Sequence, residues 1–182
     1  MMRVSGVRLV RIPVLLLLLC ASSRPVAASV VVPLSLTQLT EAADLVADVT
    51  VVDIRPVQGP EGIERVVQLQ VVSAWKGDME RTVFVRLAGG RLGATETRVQ
   101  GVPIVHDGDR LVVFLVTHPR GGYSVIGLHQ GVLAAVIGAD GTARVLAPSR
   151  VAGARGDVTR VPRRIEDLEG DVRSMAGTGG AR

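Results

Sequence analysis

The chain has 182 residues, 47% of them hydrophobic but only 2% aromatic, and carries 21 basic against 17 acidic side chains. Four of the basic residues (Arg3, Arg8, Arg11 and Arg24) and none of the acidic ones fall in the first 28 positions, so the remainder holds 17 of each and no net charge. A neutral body whose aromatic residues are Trp75, Phe84, Phe114 and Tyr123 lacks the basic, aromatic-studded surface of a nucleic-acid binder.

The N-terminus reads as a signal peptide over residues 1–28. Three arginines precede the apolar run "VLLLLLCA" at 14–21, which is too short to span a membrane, and Val26 and Ala28 supply the small residues of a cleavage site. Cleavage after Ala28 is expected, with a second possible position at 21–23. Leu19 is a poor residue before a lipidated cysteine, which argues against anchoring through Cys20. Cys20 is the one cysteine, so the exported chain has no disulfide, no thiolate nucleophile and no cysteine-type zinc site. The expected location is the periplasm or the extracellular medium, with no integral membrane segment once the signal is removed.

"SLTQLTEAADLV" at 35–46 places a serine before apolar residues at three- and four-residue spacing, which predicts a short capped helix. Valine-rich "DLVADVTVVDI" at 44–54 predicts a strand, and "PVQGPEG" at 56–62 a turn-rich connection. Residues 63–75, "IERVVQLQVVSAW", alternate apolar and polar and predict a long half-buried strand. "KGDMER" is a connection and "TVFVRL" at 82–87 the next strand. Residues 94–101 predict an irregular or edge strand. "RLVVFLVT" at 110–117 is apolar on both faces, which marks the most buried strand. Segments 123–131 and 132–148 complete the sheet, the latter folding at an Asp-Gly turn. The domain is expected over 29–147 and a loose C-terminal tail over 148–182, with a short helix in "RIEDLEGDVRSM".

Few residues suggest chemistry. "LAGGRLG" at 87–93 lacks the Gly-Lys-Ser/Thr and the following helix of a phosphate loop, so its glycines are read as a turn or bulge. His106, His118 and His129 form no metal-ligand spacing. "HDGD" at 106–109 is more simply a polar turn than a cation site. Ser73 and Ser124 sit in no nucleophile elbow, and "RGD" at 155–157 arises easily in so arginine- and glycine-rich a segment. Trp75 is read as capping the core at a strand end, with a partner-binding anchor as the alternative. No catalytic, cofactor-binding or metal-binding residue is assigned, and no cofactor.

"ADLVADVTVVDI", "VVQLQVVSAWKGD", "VFVRLAGGRLG", "GVPIVHDGDRLVVFLV" and "YSVIGLHQGVLAAV", which span about residues 42–136, resemble a family of exported bacterial proteins of uncharacterised function. These are turn glycines and core positions, so the resemblance implies a fold and carries no catalytic residue. The layout is also similar to the OB-type inhibitory domain of tissue inhibitors of metalloproteinases. Those inhibitors place an N-terminal cysteine amine on the protease zinc, a device this chain lacks after export.

The expected fold is mainly β: about six or seven antiparallel strands in a small OB-like barrel with a short N-terminal helix, or alternatively a β-sandwich. The expected function is that of an exported, non-enzymatic binding module acting on a protein or envelope component. The alternatives are an inhibitor or regulator of a secreted peptidase, and a hydrolase without a recognisable motif.

Overall fold

Ser35 opens the first helix by the reciprocal bonds of a capping box. The Gln38 amide donates to Ser35 Oγ at 3.3 Å, and the Ser35 amide donates to Gln38 Oε1 at 2.9 Å. The computed structural model describes residues 32–152 and 157–179. The expected signal peptide, its cleavage site and Cys20 lie outside the described residues.

Helix α1 (Leu36–Ala42) buries Leu36 and Leu39, and at Ala43 the backbone becomes extended and enters β1 (Leu45–Gly59). β1 pairs antiparallel with β2 (Gly62–Lys76) along almost its whole length, with register breaks at Val46/Ala47, Asp48/Val49 and Val51/Asp53. Such bulges bend a long strand and let it take partners on both sides. The connection expected over 56–62 shrinks to Pro60 and Glu61, because the ladder continues to Gly59 opposite Gly62. Proline is tolerated at Pro56 because β1 meets its other neighbour only over Leu45–Thr50.

β3 (Thr82–Ala88) pairs antiparallel with β2. A two-stranded hairpin follows, β4 (Gly90–Leu92) with β5 (Thr95–Thr97), where one irregular strand was expected. β6 (Arg110–Thr117) lies antiparallel to β1, and β7 (Tyr123–Val125) is antiparallel to β6 and parallel to β3. A 3-10 turn at Leu128–Gly131 replaces the second half of the strand expected over 123–131. β8 (Val132–Ile137) pairs with β6, β9 (Ala143–Pro148) with β8, and β10 (Arg160–Arg164) with β9. Among the described residues there are thus ten strands, eight of them in one sheet. The chain is mainly β with a short N-terminal helix.

The apolar residues separate into two layers that share β1 and β6. Leu45, Ala47, Val49 and Val51 join Leu111, Val113 and Leu115, with Val67, Leu69, Val83, Val85 and Leu87 from β2 and β3. Val46, Val112 and Phe114 face the other way, towards α1. Alternate residues of a strand point to opposite faces, so β6 must be apolar throughout to serve both layers. It is buried at every residue from Leu111 to Leu115, as its unbroken apolar run implies.

The C-terminal segment corrects the expectation of a loose tail. β10 extends the sheet, and α2 (Ile165–Gly179) is a full helix. Ile165, Leu168 and Val172, three and four residues apart, are buried in the same layer as Leu36, Leu39 and Phe114. Polar bonds also fasten the helix to the end of β2: Ser73 Oγ donates to Glu169 Oε1 at 3.1 Å, and Arg173 Nη2 donates to the Ala74 carbonyl at 3.1 Å. The boundary expected near residue 147 is therefore not an edge of the folded unit, which takes in α2.

Candidate binding face

In β8, β9 and β10 the alternation of the sequence decides which side chains remain uncovered. Val145 and Ala147 point inward with Leu133 and are buried in the layer beneath the helices. Arg144 and Leu146 point outward. Directly opposite residues of antiparallel strands project on the same face, and the register sets Val136 beside Arg144, Arg144 beside Arg164, and Leu146 beside Pro162.

Val136 and Leu146 are 68% and 57% exposed. Together with Ala134, Arg144, Arg160 and Pro162 they line a shallow groove of about 520 Å³. Apolar side chains gathered on one face differ from isolated exposed ones, because a continuous patch gains free energy when a second surface covers it. Among the described residues no carboxylate lines the groove. Arg144 is held from the β8–β9 turn by Asp140 at 2.8 Å, and Arg164 lies 3.6 Å from Glu166. The Thr142 amide, and after it Arg144, hold the Asp140 carboxyl below the usual carboxylate range. Arg160 has no carboxylate within ion-pair distance among the described residues. The face is thus apolar with a positive border.

β10 closes one end of the sheet order. Its central residue, Pro162, has no amide proton to offer along an open edge, which hinders the addition of a further strand. The sheet therefore offers its face more readily than its edge.

The other candidate residues are dispersed. Trp75 is 4% exposed and packs in the layer with Leu36, Leu39 and Phe114, which matches the core-capping reading and corrects the alternative of a partner-binding anchor. A ring so enclosed presents no surface to a partner, and its role is the strand-end core position. The 106–109 segment is a turn. The His106 amide donates to Asp109 Oδ2 at 2.8 Å, the Asp109 amide donates back to the His106 carbonyl at 3.1 Å, and the Gly108 amide pins the turn to the Val51 carbonyl at 2.8 Å. His118 Nδ1 accepts from the Arg120 amide at 3.0 Å in the β6–β7 connection. His129 lies in the 3-10 turn, and its amide donates to the Gly101 carbonyl. Ser73 is engaged by Glu169, and Ser124 lies within β7. Arg155 and Gly156 of the "RGD" triplet lie outside the described residues.

Gly89 and Gly90, the centre of "LAGGRLG", have φ of 80° and 145° and turn the chain from β3 into β4. A Cβ on Gly89 would stand 2.8 Å from the Thr97 carbonyl oxygen. This is the turn that the missing lysine and helix imply.

Ion pairs centred on Asp48 and Glu64, outside the groove, tie the strands to their neighbours. Arg110 grips the buried Asp48 through Nε at 3.1 Å and Nη2 at 2.6 Å, across the β1–β6 pair. That bond raises the Arg110 guanidinium further above its ordinary value. Glu64 is bonded by Arg120 and lies 3.6 Å from Arg86.

The face on β8, β9 and β10 was not singled out in the sequence, although its signal is there: "ARVLAP" alternates, with Arg144 and Leu146 on one side. The third strand that makes a pair of exposed residues into a surface lay in a segment read as loose. Among the described residues no helix is long and apolar enough to cross a membrane. No protein-family model matches the chain, and no curated protein matches it.

Proposed function

We propose that the protein is an exported, non-enzymatic binding module whose β8–β9–β10 face, apolar with arginines at its border, docks a protein partner whose own apolar surface is bordered by carboxylates. The observation that carries the proposal is the outward row of Val136, Leu146 and Pro162 beside Arg144 and Arg160, with no acidic group in the groove among the described residues. Charge complementarity selects the partner: an acidic border on its side would steer approach and disfavour basic competitors. Export rests on the leader pattern of residues 1–28.

The scaffold for this role is an OB-like barrel rather than a sandwich. The support is a circuit of pairings, β1 to β2 to β3 to β7 to β6 and back to β1, with β3 and β7 parallel. A ring of strands of this kind holds a rigid core, and β8–β10 extend from it through β6.

The test is recovery of a partner from envelope and culture-medium fractions by the tagged exported chain, with Val136→Asp/Leu146→Asp and Arg160→Glu variants in parallel. A protein held by the parent and lost by both variants supports the reading, and a secreted peptidase among the products would specify the role as regulation. A partner held equally by all three chains would overturn the assignment to this face. So would parent chains that self-associate in sedimentation while the variants remain monomeric, because the face would then be a homodimer surface.

A further inference from the structure

A second concave site lies away from the β8–β10 face, where the β4–β5 hairpin and the 98–104 segment border the start of β2 and the end of β3. Its volume is about 550 Å³, and its lining includes Arg65, Gly90, Arg98, Val99 and Ile104. The volume falls within the usual range for sites that take small ligands.

Arg65 is the distinctive group. Its Nε donates to the Gly89 carbonyl and its Nη2 to the Pro103 carbonyl, each at 3.2 Å, so the guanidinium joins the β3–β4 turn to the loop before β6. Among the described residues no carboxylate stands within ion-pair distance of it, and Nη1 has no hydrogen-bond partner. Glu96, the one acid among the described residues that line the cleft, is taken by Arg98 at 2.6 Å. Burial without a counter-charge lowers the Arg65 guanidinium from its ordinary value. A partly buried cation stripped of water and left without an anion gains more from a carboxylate than an exposed arginine does.

The glycine turn makes this arrangement possible. A Cβ on Gly90 would stand 2.9 Å from Arg65 Cγ and 3.4 Å from Cδ, so the stem of Arg65 occupies the space a side chain there would need. The apolar part of the lining is open to solvent: Ile104 is 81% exposed and Val99 42%. Arg98 and Glu96 offset each other, which leaves one positive charge. That balance suits a monoanion better than a phosphate dianion.

We infer that this cleft binds an aliphatic monocarboxylate, with the carboxylate on the Arg65 guanidinium and the aliphatic body against Val99 and Ile104. Two sources share this chemistry: a free alkanoic acid, and the C-terminus of a peptide that ends in an aliphatic residue.

Calorimetric titration of the exported chain with octanoate, octanol, the peptide N-acetyl-Ala-Ala-Leu and its C-terminal amide tests the inference. Octanoate or the free peptide should bind and its neutral counterpart should not, and whichever acid binds identifies the source. Arg65→Gln should weaken binding by at least about tenfold, the loss expected for a charge-assisted hydrogen bond. Arg65 also joins two loops, so Ile104→Glu serves as a second variant. It alters an exposed side chain, should leave the unfolding midpoint unchanged, and should repel the same ligand to a similar extent. Binding of neither acid, equal binding of the neutral counterparts, or binding that survives Ile104→Glu would overturn the inference. None of these outcomes bears on the β8–β10 face, which the variants do not touch.

Discussion

Lys76 Nζ donates to the Ala43 carbonyl at 2.6 Å, so the chain's single lysine closes the C-terminal end of α1 from the end of β2. The same ammonium reaches the Thr40 carbonyl at 2.7 Å and the Glu41 carbonyl at 3.3 Å. Helix C-termini leave carbonyl oxygens unpaired, and a cation there also meets the negative end of the helix dipole. The next residue, Gly77, has φ of 78°, and a Cβ on it would collide with the Asp44 carbonyl oxygen. The "AD" at 43–44 and the "KG" at 76–77 thus meet at one junction.

Lys76→Met should lower stability by about 1–3 kcal/mol, because carbonyls at the helix end lose a charged donor. Lys76→Arg should recover only part of that loss. A planar fork does not converge on three carbonyls as a compact ammonium does. Urea midpoints of the three chains check this, and full recovery by arginine would show that charge alone matters.

Much of this fold is legible in the residues, and the failures have physical causes. Ser35 with Gln38, the alternation of 63–75 and the unbroken apolar run of 110–117 are local signals, and each produced the element it implies. The β4–β5 hairpin and β10 are short strands whose pairing depends on tertiary neighbours rather than on their own pattern. Helix α2 carried its signal in Ile165, Leu168 and Val172, and the short helix expected in "RIEDLEGDVRSM" is there, but Gly170, Gly177 and the surrounding charges hid its full length and its place in the core. The candidate face was hidden for a related reason. An exposed Leu146 means little until a partner strand places Pro162 beside it. Arg65 was equally silent, since nothing in "GIERVVQ" distinguishes a cation without a counter-ion.

Acid should destabilise the fold through Glu64 and Asp44. Hydrogen bonding by Arg120, then the charges of Arg120 and Arg86, hold the Glu64 carboxyl below its ordinary value. The Thr117 amide, and after it the Thr117 hydroxyl, do the same for Asp44. A carboxyl depressed in the folded state is protonated more readily in the unfolded chain, so the unfolded state binds more protons and stability falls with falling pH. The contribution is complete above the ordinary carboxylate value of roughly 4 and is lost as pH drops through the depressed one. Denaturant midpoints from pH 7 down to pH 2.5 should hold first and then decline below about pH 4–5. Glu64→Gln should start lower at neutral pH and decline less. A variant with the same acid limb as the parent would show that Glu64 is not depressed.

Gly89→Ala should destabilise the protein by about 1 kcal/mol or more, since alanine is disfavoured at positive φ and the added Cβ would press on the Thr97 carbonyl. Nucleotide binding should be absent from parent and variant alike. Unchanged stability together with lost nucleotide binding would instead mark a phosphate loop.

Leu168→Ala should cost about 2–5 kcal/mol, the range for emptying a leucine site in a packed core. Leu168 is fully buried against α1 and the sheet. Removal of residues 165–182 should do more, because it also uncovers Leu36, Leu39 and Phe114. Circular dichroism with thermal melting tests both chains. A truncated chain that melts like the parent would restore the reading of the segment as a tail.

Trp75 offers a sharper test of the core, because its buried Nε1 has no acceptor among the described residues. A buried donor without a partner costs about 1–3 kcal/mol, and that cost offsets part of what the ring gains by packing. Trp75→Phe removes the donor, keeps an aromatic ring and leaves a small void. The two changes oppose each other, and stability should shift by less than about 1 kcal/mol. Trp75→Ala removes the whole side chain and should cost about 3–5 kcal/mol. Equal losses in the two variants would mean that the indole N–H is satisfied and essential. Normal stability of Trp75→Ala with loss of the recovered partner would return Trp75 to the surface as a binding residue. The expected order is parent close to phenylalanine and alanine far below both, with partner recovery falling only as far as the folded fraction does.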